Sequence, residues 1–426
     1  MAPSETWRAH CAARHVIVVG HGMVGHRLVE ALRARDTEGS WRITVLAEEA
    51  DAAYDRVGLT SYTESWDRGL LALPGNDYAG DERVRLLLNT HVTEIDRVTK
   101  SVVTADGQRH SYDALVLATG SYAFVPPVAG HDLPPCHVYR TLDDLDAIRA
   151  DAQRTPAAGH STAGVVIGGG LLGLEAANAL RQFGLQTHVV EMMPRLMAQQ
   201  IDEAGGALLG RMITDLGIAV HVGTGIESIE SVEHSDGSTS VRVRLTDGDI
   251  IGAGVVIFAA GIRPRDELAA TAGLTLAERG GVLTDLSCQT SDPDIYAIGE
   301  VAAIEGRCYG LVGPGYTSAE VVADRLLDGA AEFPEADLST KLKLLGVDVA
   351  SFGDAMGATE NCLEVAINDA VNRTYAKLVL SDDAKTLLGG VLVGDASSYG
   401  VLRPMVGSTL PGDPLALIAP AQSGGA

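Results

Sequence analysis

No C-x-x-C pair occurs anywhere in the 426 residues, and the five cysteines, Cys11, Cys136, Cys288, Cys308 and Cys362, stand far apart. That scatter excludes a disulfide framework and offers no metal-ligand grouping, so no metal site is expected. No run approaches the ~20 uninterrupted apolar residues of a membrane-spanning helix. The opening residues 1–14 lack an apolar signal core, so a cytoplasmic location and no membrane association are expected. Positive charge is scarce as well: 32 Lys and Arg against 56 Asp and Glu leave a formal charge of −24. Nucleic acids and anionic membranes are bound through a basic footprint, which this composition does not supply. A protein partner would have to bring a basic face.

What is present is glycine, 49 residues of it, in a chain that is 46% hydrophobic and long enough for two or three domains. The run HVIVV at 15–19 leads into Gly20, Gly22 and Gly25, after which Val24, Leu28, Ala31 and Leu32 recur with helical spacing. Strand, glycine turn and helix in that order make a dinucleotide cradle. Gly20 serves the turn, Gly22 lets backbone amides approach a pyrophosphate at the helix N-terminus, and Gly25 allows close packing of helix on strand. A second strand, 43–47, ends at Glu48 and Glu49, where an acid can accept hydrogen bonds from a ribose diol.

The pattern returns. Residues 164–167 lead into Gly168, Gly170 and Gly173, followed by a helix through Glu175 and Ala179, and a strand from His188 that ends at Glu191. Two complete units predict two dinucleotides. Glu191 favours NADH over NADPH, because a carboxylate pairs with a 2′-hydroxyl and repels a 2′-phosphate. Arg195, four residues on, could soften that preference. Two further strands, 115–120 closing on Ala118, Thr119 and Gly120, and 255–261 closing on Gly261, occupy matching positions after each unit.

With the segment TSDPDIYAIGE at 290–300, the sequence resembles the two-dinucleotide flavoprotein disulfide-reductase superfamily over nearly its whole length. The resemblance implies an α/β protein with two Rossmann-like domains, one for FAD and one for NAD, plus a small C-terminal α/β cap. It assigns Gly20, Gly22, Met23, Val24, Gly25, Ala118, Thr119, Gly120, Gly299, Tyr316 and Thr317 to FAD. Gly168, Gly170, Leu171, Leu172, Gly173, Glu191 and Gly261 go to the nicotinamide coenzyme, and Glu300 to the ribityl chain, where most relatives carry Asp. The stretch from Glu48 and Glu49 to Tyr54 and Arg56 resembles the rubredoxin reductase and apoptosis-inducing-factor branch. There the matching acids and arginine contact FAD, and Val92 would offer backbone hydrogen bonds to the adenine. Two positions depart from that branch: Ser61 stands where a lysine, and Phe124 where an arginine, would be expected, leaving less positive charge around the flavin.

A narrower resemblance rests on MVGHR at 23–27, AYDRV at 53–57, ATGSY at 118–122, GRCYGLV at 306–312, TKLKLLGVDV at 340–349 and VGDASSYG at 393–400. These are similar to the N-terminal flavoprotein portion of NADH-dependent assimilatory nitrite reductase large subunits and to the electron-transfer subunits of assimilatory nitrate reductase. Six-electron nitrite reduction needs a sirohaem and an iron–sulfur cluster, and such a cluster requires four thiolates in characteristic spacing. These residues hold no such set, so by themselves they are not expected to reduce nitrite in that way. Cysteines are also missing from 28–35 and 54–66, where the superfamily places its redox thiols. Flavin chemistry without an auxiliary centre remains, with hydride passing from nicotinamide to flavin and on to an outside acceptor. The resemblance places Glu175 near the nicotinamide.

Three functions are compatible with these residues. The leading one is an NADH-dependent reductase feeding a separate iron–sulfur or molybdenum component; the others are direct reduction of a small nitrogen-containing molecule and a flavin-based nicotinamide sensor. The expected domains are 14–124 with 285–335 for FAD, 125–284 for NAD(P), and 336–420 for the cap. The segment 126–135 reads as a linker, 375–380 and 386–393 as a hairpin, and the cap as a possible homodimer interface. The tail at 421–426 reads as disordered.

Overall fold

The computed structural model describes residues 13–157, 162–234, 239–344 and 346–419; the tail at 421–426 lies outside them. Tertiary contacts divide the chain into two units, Met1–Tyr122 with Ile262–Ala336, and Ala123–Gly261 with Asp337–Ala426. Two helices in each unit position its candidate residues: α1 (Met23–Arg35) and α4 (Val312–Leu326) in the first, α2 (Leu171–Gln182) and α3 (Glu203–Asp215) in the second.

The first unit is built on a parallel sheet whose spatial order is Ile295–Ala297, Ala114–Leu117, Arg14–Val19, Trp41–Leu46 and Val84–Leu87. Val16, Ile17 and Val18 are buried, as is Leu115 beside them. A parallel sheet covered on both faces selects such continuous β-branched runs over alternating ones. Helix α1 turns Leu28, Val29 and Leu32 into this core. Helix α4 adds Val321, Val322 and Leu326.

The second unit repeats the plan with Ala219–Val222, Gln186–Glu191, Ala163–Ile167, Val255–Phe258 and Cys136–Val138. The segment 126–135 is docked within this unit, not free: Ile229 N–H donates to Ala129 O at 2.8 Å, and a Cβ on Gly130 would stand 1.9 Å from Ile229 O. Residues 262–284, expected with the second domain, lie in the first unit. Val282–Thr284 pairs in parallel with Ala302–Ile304, and the Arg97 guanidinium donates to Gly273 O at 3.3 Å. Pairing between strands this far apart leaves no mark on local periodicity.

The C-terminal region is a five-stranded antiparallel sheet in the order Thr340–Leu344, Val347–Gly353, Leu387–Val393, Thr374–Leu380 and Leu363–Asp369. The hairpin pairs Tyr375 with Val393 and Leu380 with Leu387. Lys377 is buried in it, and a lone buried ammonium would be very costly. Glu364 at 2.8 Å and Asp202 at 3.2 Å neutralise it. Asp202 also accepts from Tyr375 Oη at 2.6 Å and from Gly205 N–H at 3.0 Å, so the sheet is fastened to the start of α3. Among the described residues, no helix is long and apolar enough to cross a membrane.

Candidate functional site

Each unit carries a glycine turn of nearly identical shape. Gly22 caps α1 at φ −83 and ψ −170; Gly170 caps α2 at φ −81 and ψ −171. Neither helix start is filled by a capping side chain or carries an acid in its first turn, so amide donors there face outward, as an anionic diphosphate requires. A Cβ on Gly22 or Gly170 would meet nothing within 4 Å, leaving an open approach. The remaining glycines are locked by contact. Gly20 and Gly168 adopt φ +107 and +115, and a Cβ on them would come within 2.2 Å of Ala118 O and 2.3 Å of Ala259 O. On Gly25 and Gly173 it would strike the carbonyls of Gly20 and Gly168 at 2.4 and 1.9 Å. These cradles fit two dinucleotides.

In the first unit, Gly20 N–H donates to Leu46 O, which ends the second strand. Met23 and Val24 open α1, and Val24 packs where Gly299 and Gly315 lack side chains: a Cβ on Gly315 would lie 2.6 Å from a Val24 methyl. Helix α4 begins at Val312 and so already contains Tyr316 and Thr317. Gly299 N–H donates to Ser318 Oγ at 3.1 Å, joining the Gly299 turn to α4.

The two glutamates part company. Glu49 accepts from Tyr54 Oη at 2.9 Å and pairs with Arg56, whose guanidinium stacks 4.8 Å over the Tyr54 ring. Glu48 pairs with Arg265 at 2.7 Å and approaches His91 at 3.4 Å. Asp51 is taken by Arg68, and Asp55 accepts Val57 N–H. Thr119 Oγ1 donates to Arg265 O at 2.8 Å and Gly120 O accepts Arg265 N–H at 2.9 Å, so the Ala118 to Gly120 return also orients Arg265. Val92 opens the strand Val92–Asp96, and Ser61 sits exposed on a short helix, Leu59–Ser65.

Three features carry no signal in the sequence. The first is Ser121, whose hydroxyl donates to Glu300 Oε2 at 2.7 Å and holds the longer carboxylate. The second is a hydrogen-bonded chain behind the first glycine turn. Ala53 N–H, which can only donate, bonds His21 Nδ1 at 3.1 Å. That fixes His21 Nε2 as the donor to Tyr78 Oη at 2.8 Å, and leaves the Tyr78 hydroxyl proton for His26 Nδ1 at 3.0 Å. Burial, with some repulsion from His26, pushes the His21 imidazole down to about 3; burial likewise lowers His26 and raises the Tyr78 phenol. The chain is therefore neutral at ordinary pH. The third is Gly169, the counterpart of His21.

In the second unit, Glu191 folds over Gly169: its Oε2 accepts Gly169 N–H and its Oε1 accepts Met193 N–H, each at 2.7 Å. A Cβ at Gly169 would lie 3.0 Å from Glu191 Cβ and 2.6 Å from a Leu196 methyl. Leu171 and Leu172 form the first turn of α2, and Gly261, at φ +112, accepts Phe124 N–H at 2.8 Å. Phe124 thus belongs to this unit and not to the first. Glu175, which could have been a solvent-facing helix residue, is only 9% exposed. Arg195 points away from Glu191, with Nε donating to Ile201 O at 2.9 Å and Nη2 to Ala198 O at 3.1 Å.

Of the described cysteines, Cys288 is fully buried, with its thiol pushed up to about 12, and Cys136 is pushed up to about 11, in both cases chiefly by burial. Cys308 lies at an exposed position, and its thiol is raised by local desolvation and by the Asp266 carboxylate. These groups stay as thiols, and the thiolate is the reactive form.

Comparison with known proteins agrees with this geometry. The family model described as pyridine nucleotide-disulphide oxidoreductase matches residues 14–322, and that of the rubredoxin NAD+ reductase C-terminal domain matches 339–408. The nitrite reductase [NAD(P)H] large subunit of Klebsiella oxytoca is 49% identical over 96% of this chain and 42% of its own length. For the nitrite reductase (NADH) large subunit of Escherichia coli the values are 44%, 96% and 47%. The chain thus spans less than half the length of these relatives. A solved ferredoxin reductase from Rhodopseudomonas palustris superposes with a TM-score of 0.80 at 27% identity, covering 93% of this chain and 96% of that one.

Proposed function

The chain belongs to the pyridine nucleotide-disulphide oxidoreductase family and is an FAD-dependent NAD(P)H oxidoreductase using FAD and NADH; from that premise we propose that it passes electrons from NADH to a separate redox protein in nitrate or nitrite assimilation. The observation that carries the reading is the doubled glycine turn, two dinucleotide cradles, joined among the described residues to thiols at Cys136, Cys288 and Cys308 that are held in the protonated form. Bound FAD supplies the hydride acceptor and the point of exit for electrons.

The protein's own groups bind and orient. We assign the first turn to FAD, with the α1 amides and Arg56 toward the diphosphate. Glu48, held by Arg265, or Glu49, held by Tyr54 and Arg56, accepts from the FAD ribose. Glu300, steadied by Ser121, faces the ribityl chain. The second turn takes NADH, whose ribose hydroxyls would donate to the lone pairs that the two backbone amides leave open on Glu191. Glu175, buried on α2, lies toward the nicotinamide end. Similarity to nitrite reductase large subunits over their flavoprotein portion supports the metabolic setting, and likeness to a ferredoxin reductase supports a protein acceptor.

The test is anaerobic titration with NADH, followed by mixing of the reduced protein with iron–sulfur proteins, nitrite and oxygen. Rapid bleaching with reoxidation by protein acceptors is expected. Equal NADH oxidation with and without such a partner would sink the proposal, and reoxidation by a small molecule alone would make the chain a self-contained reductase.

A further inference from the structure

An arginine close behind the ribose acid is the group that a 2′-phosphorylated coenzyme would call for, yet here it is turned aside. Arg195 stands four residues after Glu191, and both of its bonds run to main-chain carbonyls, Ile201 O at 2.9 Å and Ala198 O at 3.1 Å. The loop that offers them is closed on itself, with Met197 O accepting Gln200 N–H at 2.8 Å and Ile201 N–H at 3.0 Å. It is also fixed to the glycine turn, because Met197 N–H donates to Gly169 O at 2.9 Å. The Arg195 side chain reaches these carbonyls by running across the first turn of α3 at Gly206. A Cβ there would lie 2.8 Å from its Cδ, 2.9 Å from its Cβ and 3.1 Å from its Cγ. The path is open only while residue 206 has no side chain.

We propose that Gly206 determines coenzyme choice by giving Arg195 a place to lie away from the ribose pocket, so that a dinucleotide without a 2′-phosphate is selected twice over. The Glu191 carboxylate repels the extra phosphate, and the Arg195 guanidinium is withheld from it. This rests on the assignment of the second turn to the nicotinamide coenzyme. Guanidinium and phosphate form strong bidentate pairs, so releasing Arg195 would admit the phosphorylated coenzyme.

The test is calorimetric titration of the FAD-loaded protein with ADP-ribose and with 2′-phospho-ADP-ribose, which reports binding without turnover. In the wild type, ADP-ribose binds more tightly, and Arg195→Ala changes neither affinity more than about twofold, a few tenths of a kcal/mol. Gly206→Val should strengthen 2′-phospho-ADP-ribose binding by about tenfold, and the gain should vanish in Gly206→Val/Arg195→Ala. Should the valine variant not fold, Glu191→Ser and Glu191→Ser/Arg195→Ala must bind the phosphorylated ligand equally. A weaker double variant, or a folded Gly206→Val without the gain, overturns the proposal. Failure of ADP-ribose to bind the wild type at all would instead remove the coenzyme assignment beneath it.

Discussion

The two glycine turns match within a few degrees at their capping glycines, yet they are braced by opposite means. Behind the first, His21 fills the position between the glycines and joins a buried, uncharged chain through Tyr78 to His26. Behind the second, that position is Gly169, and the space goes to the Glu191 carboxylate, which accepts two backbone amides. The strand ends differ accordingly. Gly20 N–H meets Leu46 O, two residues before Glu48, whereas Gly168 N–H meets Val190 O, one residue before Glu191. The acid of the second unit therefore reaches under its own turn, and those of the first unit are left to pair with Arg56 and Arg265. One backbone shape can thus be held by neutral packing, which leaves the acids for other work, or by the acid itself.

The largest effect should come from crowding each turn separately. Gly25→Ala and Gly173→Ala both force a methyl onto a carbonyl, and overpacking of this kind costs ~1–3 kcal/mol or more. The first should lower FAD affinity at least about tenfold, giving a pale protein, while the second should keep its yellow colour and lose bleaching by NADH. Absorbance of the purified variants before and after NADH reads both, and the reverse pairing of losses would exchange the assignments.

Tyr78→Phe strips the chain of both a donor and an acceptor. Each orphaned buried group costs about 1–3 kcal/mol, so denaturant unfolding should show a loss of about 2–6 kcal/mol, with ADP-ribose affinity unmoved. A neutral effect would mean that the two histidines do not depend on the hydroxyl.

The chain should also respond to acid. His21 stays neutral when folded down to about 3, but its unfolded counterpart takes up a proton below about 6.5. A folded value lowered in this way contributes stability that is full above pH 6.5 and is lost as pH falls toward 3, at ~1.4 kcal/mol per unit. His21→Asn should therefore flatten the fall in melting temperature between pH 6 and 4 relative to wild type; parallel curves would contradict the buried neutral ring.

The smallest effect is at Ser121. Losing its hydrogen bond to Glu300 should cost about 1 kcal/mol, weakening FAD retention several-fold, as read from the fluorescence of released flavin. Unchanged retention would show that Glu300 needs no such support.

Much of this was legible in one dimension. The spacing of Gly20, Gly22 and Gly25, and of Gly168, Gly170 and Gly173, reports hard steric limits on backbone that no other residue meets, and the buried β-branched runs before them announce parallel strands. Those constraints act within a few residues, so residue order was enough to establish that two dinucleotide cradles succeed one another, that an acid closes the second, and that paired thiols are absent. The rest needed the folded chain, because it lies between residues far apart. Tyr78 reaches His21 across 57 positions and Ser121 reaches Glu300 across 179; Arg265 selects Glu48, and strand pairing draws 262–284 into the first unit. Arg195 could be read as a phosphate ligand until Gly206 was seen beside it, because the direction a long side chain takes depends on the space its neighbours leave, and that space exists only once the chain has folded.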